Sequence, residues 1–134
     1  MLTNNSRYQL KTQRYSSHSQ VKRVLRGAPA SSRILELGIA SGYTGQYLAQ
    51  YNYEMIGIER DPILARQAEP YYRDVFTLDL NKEEMPPLIR PFDFIILADI
   101  LEHLHDAAGN LKKMRTLLND DGRIIVCVPN TANW

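Results

Sequence analysis

Short apolar stretches alternate along the chain with segments of helical spacing, an order that suits a parallel sheet with helices in its connections. The stretches fall at residues 33–37, 54–59, 75–78, 92–98 and 123–128. Several are continuously apolar, as strands buried on both faces are. Between them, Tyr43, Tyr47, Leu48 and Tyr51 share a helical face. Asp61-Pro62 is an N-cap with proline at the first helical position, opening a helix to about Glu69. Leu104, Ala107, Leu111, Met114 and Leu118 also recur at helical spacing, before Asn119-Asp120-Asp121-Gly122 turns the chain into the fifth strand. Ahead of the first strand, residues 18–26 place Val21, Val24 and Leu25 on one face, with Gly27 as a stop. Residues 81–91 carry three prolines and are predicted as a loop. The predicted class is α/β, doubly wound. Right-handed crossovers then put the ligand crevice at the carboxyl ends of the strands.

A length of 134 residues suits one domain, and 44% apolar with 23% charged residues is ordinary globular composition. The longest apolar runs are only strand-length, too short for a helix to span a bilayer. The N-terminus shows no charged-then-apolar signal pattern, and the single Cys127 cannot form an intrachain disulfide, so a reducing cytoplasm is the expected location. Residues 1–35 hold seven Lys or Arg and no acid, whereas the rest hold nine basic and all fifteen acidic groups. This arm, with Tyr8 and Tyr15 interleaved, could contact RNA, or could be a solvated segment balancing an acidic body. Its charges lack the density of a nucleic-acid module, so the second reading is the expected one.

Four strands finish at or beside a carboxylate: Glu36 within the first, Glu59 ending the second, Asp79 after the third and Asp99 after the fourth. Any one of these could be a helix cap or a solvated loop charge. Together they make a rim that repels phosphate and attracts a cation or ligand hydroxyls. Gly38 and Gly42 let a ligand lie against backbone, and the following helix start is expected to offer N–H groups to a carboxylate. Glu59 suits the two hydroxyls of a ribose, Asp79 an exocyclic amine, and Ile58, Leu80, Ile100 and Leu101 the faces of a flat base.

Four segments, Ile34-Leu35-Glu36-Leu37-Gly38-Ile39-Ala40-Ser41-Gly42, Ile56-Gly57-Ile58-Glu59, 92–104 with its Asp99-Ile100-Leu101-Glu102-His103-Leu104, and 117–130, resemble in order and spacing the class I S-adenosylmethionine-dependent methyltransferases. The resemblance covers about residues 30–134 and is nearest to small-molecule methyltransferases with an Asp-x-Leu-Glu-His-Leu segment, including ubiquinone-biosynthesis O-methyltransferases and domains accompanying glycosyltransferases. It implies a Rossmann-like sheet of mainly parallel strands in the order 3-2-1-4-5 with helices on both faces. Residues 30–134 would form the cofactor-binding core, and 1–29 a basic N-terminal arm and first helix. The implied cofactor is S-adenosylmethionine, and the implied acceptor is an oxygen or nitrogen of a small molecule or glycan.

By position, the resemblance assigns Glu36, Gly38, Ala40 and Gly42 to the methionine portion, Glu59 with Arg60 to the ribose, Asp79 and Leu80 to adenine, and Asp99 and Leu101 to the sulfonium. The family usually has glycine where this chain has Ala40, so a narrower cofactor berth is expected. His103 is the candidate base; it could equally pack or cap the start of the helix at Leu104. Asp99, Glu102 and His103 resemble the metal-binding segment of some methyltransferases, but a further ligand is not identifiable and no metal is expected. His18 and His105 read as solvated, and Cys127 as core. Family members continue with two more strands, so this chain is expected to be a fragment, or to have a partner covering its fifth strand.

Two other functions remain open. Ala40-Ser41-Gly42-Tyr43-Thr44-Gly45 echoes a dinucleotide fingerprint that has lost its first glycine, although the acidic rim disfavours a nicotinamide dinucleotide. A non-catalytic module that binds cofactor or a partner is the other.

Overall fold

The structure, a computed structural model, describes residues 16–88 and 91–129. Strands β1 (Arg33–Leu37), β2 (Glu54–Glu59), β3 (Asp74–Thr77), β4 (Phe92–Ala98) and β5 (Leu118–Cys127) form a sheet in the order β3-β2-β1-β4-β5. Every pairing in it is parallel. The winding reverses at β1, which lies between β2 and β4, and this reversal opens a crevice at the strands' carboxyl ends.

Alternate residues of the central strands supply two apolar layers. Ile34, Met55 and Ile96 face α1 (Ser17–Leu25), α2 (Tyr43–Leu48) and α3 (Pro62–Ala68), joined by Val21, Leu25, Leu48 and Ala68. Leu35, Leu37, Ile56, Ile58, Ile95 and Leu97 face the other way, against Met114 and Leu111 of α4 (Ala107–Thr116) and against Met85 and Leu88 of the irregular segment before β4. Helices therefore cover both faces, as expected. Each fully buried Leu or Ile contributes roughly 1.5–3 kcal/mol, so the two layers outweigh any single polar contact.

Local signals placed most boundaries. Asp61 caps α3, its side chain accepting from the N–H groups of Ile63 and Leu64, with Pro62 opening the helix. Four expectations are corrected. Val24 is 50% exposed while Val21 and Leu25 are buried, because α1 presents a narrow stripe to the sheet. The helix expected from Leu104 starts at Ala107 with Asp106 as its cap, and Leu101–His103 form a separate 3-10 turn. The fifth strand, expected from Arg123, begins at Leu118: residues 119–122 interrupt its pairing, since Leu118 pairs with Phe92 and Arg123 with Phe94. Cys127 ends β5 and is only partly buried.

Among the described residues β5 is an edge strand, with Val126 and Val128 exposed, and no helix is long and apolar enough to cross a membrane. Arg7, Lys11 and Arg14, with Tyr8 and Tyr15, lie outside the described residues.

Candidate functional site

After β1 the chain turns sharply at Gly38, whose φ of +73° is in the left-handed region. A Cβ there would come within 2.8 Å of Ile100 Cδ1, so the bare backbone lets this turn and the loop after β4 meet. Ala40 has φ +50°, in the left-handed region, so its methyl group costs backbone strain. Beyond this turn lies a cavity of about 420 Å³, within the range of small-molecule sites.

Nine of the predicted residues line it: Glu36, Gly38, Ala40, Glu59, Arg60, Asp79, Leu80, Asp99 and His103. Ile58 and Ile100 line it too. Gly42 and Leu101 do not. A Cβ on Gly42 would lie 3.0 Å from Ala68, so this glycine serves the packing of α2 on α3. Leu101 packs against the apolar layer around Phe92 and Met114.

Glu36 is 3% exposed, and its Oε2 accepts from the Tyr72 hydroxyl at 2.6 Å. Burial pushes its carboxyl up from the usual 4.5 to about 7, against hydrogen bonds from Tyr72 and Thr44 that pull the other way. The same Tyr72 oxygen accepts from Gly45 N–H at 3.1 Å. The ring fits because Gly45 and Gly57 lack side chains: a Cβ on either would stand 2.5 Å and 3.1 Å from it. Burial, then the neighbouring Glu36, raise the Tyr72 phenol well above its usual value, so it stays a donor.

Glu59, at the end of β2, is anchored at both oxygens. Oε2 accepts from Ala40 N–H at 2.8 Å and Oε1 from Asp61 N–H at 3.0 Å. Asp79 Oδ1 accepts from Asn81 N–H at 2.9 Å. The N–H groups expected to serve a ligand carboxylate are partly committed: Ala40 to Glu59, Gly42 to the Ile39 carbonyl and Gly45 to Tyr72. Asp99, at φ +56°, accepts from the Ser17 hydroxyl of α1.

His103 stands at the rim, its side chain 70% exposed and Nε2 3.7 Å from Glu102 Oε1. It does not cap the following helix, a role held by Asp106. Among the described residues no group of three metal-ligating side chains converges, Asp99, Glu102 and His103 included. Burial, and then Asp99, push the Cys127 thiol up, away from nucleophilic use.

Three contributors escaped the sequence reading. Tyr72 carries no local signal, because its partner is 36 positions away. Asn81, in the segment read as a loop, binds the His103 carbonyl at 3.0 Å and His105 N–H at 2.8 Å, tying the loops after β3 and β4 together. His18 also lines the cavity. A signal existed for it, since His18, Val21 and Leu25 fall on one helical face.

A probable S-adenosylmethionine-dependent methyltransferase of Mycobacterium tuberculosis is 24% identical over 101 residues, covering 75% of this chain and 37% of that protein. The tRNA U34 carboxymethyltransferase of Syntrophotalea carbinolica is 31% identical over 100 residues, covering 70% and 31%. The chain thus spans about a third of the length of these curated relatives. A TehB-like S-adenosylmethionine-dependent methyltransferase from Corynebacterium glutamicum superposes with a TM-score of 0.67 at 23% identity, over 84% of this chain and 61% of that one. With a cofactor-sized, acid-lined crevice at the switch point of its sheet, and with the family model described as "Methyltransferase domain" matching residues 8–134, the chain belongs to that methyltransferase-domain family.

Proposed function

We propose that this chain forms the S-adenosylmethionine-binding core of a cytoplasmic methyltransferase acting on an oxygen or nitrogen of a small-molecule or glycan-type acceptor. The carrying observation is the charge of the cavity. Four carboxylates, Glu59, Asp79, Asp99 and Glu102, line it against one guanidinium, Arg60, and the buried Glu36, its carboxyl pushed up to about 7, adds negative charge when it gives up its proton. A sulfonium and an ammonium are attracted by that lining, whereas the pyrophosphate of a dinucleotide or the backbone of a nucleic acid is repelled.

In this reading Glu59 receives the ribose hydroxyls, and its two backbone bonds hold the carboxylate ready for them. Asp79 and Leu80 hold adenine, between Ile58 and Ile100. Glu36, Gly38 and Ala40 surround the methionine portion, and Asp99 stands by the sulfonium. Gly42 and Leu101 act from behind the wall, through packing. When bound, S-adenosylmethionine supplies an electrophilic methyl group with a good leaving group. The chain's residues then need to align the acceptor and receive its proton. His103, exposed at the rim, is the proposed base.

Calorimetric titration with S-adenosylmethionine, S-adenosylhomocysteine and NADH tests the reading. Binding of the first two and not the third is expected. Binding of NADH alone overturns it in favour of a dehydrogenase-type domain, and no binding by any of the three favours an interaction module.

A further inference from the structure

The first residues of α1 reach across the molecule to the ends of β4 and β5. Ser16 caps the helix, its hydroxyl accepting from Ser19 N–H at 3.2 Å. Ser17 donates to Asp99 Oδ2, 82 positions away, and its carbonyl lies 3.9 Å from Cys127 Sγ. The helix is fixed from below by Val21 and Leu25, both fully buried. The next residue after this tether, His18, lines the cavity at the strand ends. Its position is therefore set by a packed, capped helix and by a side-chain bond to the residue that follows β4.

We infer that His18 is an acceptor-side residue of the site, standing beside the methyl group to be transferred and contacting a hydroxyl or amine acceptor. The inference rests on the cofactor reading above. In that reading the ends of β2 and β3, with Glu59 and Asp79, take the ribose and adenine. The ends of β4 and β5, where α1 docks, are left for the sulfonium and whatever approaches it. An imidazole both donates and accepts a hydrogen bond, which matches an O–H or N–H acceptor better than a carbon nucleophile. Asp99, at φ +56°, is a non-glycine residue held in a sparsely populated conformation, a feature that concentrates at ligand-holding positions. The Ser17 bond makes the start of α1 one of the contacts that hold it.

The test uses the whole chain with its histidines labelled at Cε1 with carbon-13. The chain has three histidines, so three signals are expected, assigned with His18→Gln and His105→Gln. If His18→Gln does not fold, His103→Gln and His105→Gln assign its signal by elimination. Spectra are recorded with saturating S-adenosylmethionine and with saturating S-adenosylhomocysteine. These ligands differ only in one methyl group and its positive charge, so a signal that differs between the two complexes reports nearness to that methyl. The His18 signal is expected to differ between the complexes, while that of His105, which lies outside this cavity, coincides. A His18 signal that is identical in the two complexes, with both ligands bound, overturns the inference and leaves the cofactor reading standing. If neither ligand moves a signal or releases heat, the cofactor reading falls, and the inference with it.

Discussion

Replacing Glu36 by glutamine should make the ligand-free protein more stable at neutral and alkaline pH. The carboxyl is buried under Tyr72, and burial raises it from 4.5 to about 7. Because the folded-state value lies above the unfolded one, the folded chain binds more protons between those two pH values. Its contribution to stability is thus fully present below about 4.5 and is lost as pH rises through about 7. The raised value corresponds to about 3 kcal/mol of stability withdrawn by pH 8. Glutamine keeps an acceptor for the Tyr72 hydroxyl and has no charge to bury. Urea unfolding followed by circular dichroism at pH 4.5, 6 and 8 should show the two proteins nearly equal at the lowest pH. The variant should lead by up to about 3 kcal/mol at the highest. Parallel pH profiles, with one constant difference between wild type and variant, would refute the reasoning, because they would mean that Glu36 does not change its proton occupancy on folding. The same physics explains why so costly a carboxylate suits the proposed function: a bound cation restores its charge-stabilising partner, so the stability lost on deprotonation becomes affinity for that ligand.

Three other outcomes follow from the geometry. Glu59→Ala should weaken binding of S-adenosylhomocysteine by about 1.5–3 kcal/mol in calorimetry through lost charged hydrogen bonds, and it should also lower stability, since the amides of Ala40 and Asp61 lose their acceptor. An unchanged dissociation constant would remove Glu59 from the ribose. Ala40→Gly relieves a left-handed alanine and should raise the unfolding free energy by roughly 0.5–1 kcal/mol after the entropy of the added glycine is subtracted; a loss of stability would show that the turn tolerates the methyl group without strain. Asn81→Ala cuts both bonds to the 103–105 segment, so hydrogen exchange at His105 N–H should accelerate while exchange in β1 stays unchanged.

Strand positions were legible because a strand buried on both faces carries consecutive apolar residues, interrupted here only by charged groups at or next to its ends. Residues 33–37, 54–59 and 92–98 match β1, β2 and β4 residue for residue. The Asp61-Pro62 start was legible because a cap is a contact between near neighbours. Where a helix start or a residue's burial depended on distant packing, local periodicity misled, at Leu104 for the first and at Val24 for the second. The position of acidic residues at strand ends could also be read directly, since parallel strands align their carboxyl ends.

What the sequence determined by itself was therefore the class of fold, most of its strands, and the presence of carboxylates at one edge of the sheet, all properties of near neighbours or of a repeated pattern. The tertiary structure alone decided which of those groups share a cavity and what condition each is in. It buried Glu36 under a tyrosine seated between two glycines, tied Glu59 to two backbone amides, moved Gly42 and Leu101 behind the wall and brought His18 into it. Those outcomes depend on groups tens of residues apart meeting at hydrogen-bond and van der Waals range, and a carboxyl's protonation depends on how much water that meeting leaves around it.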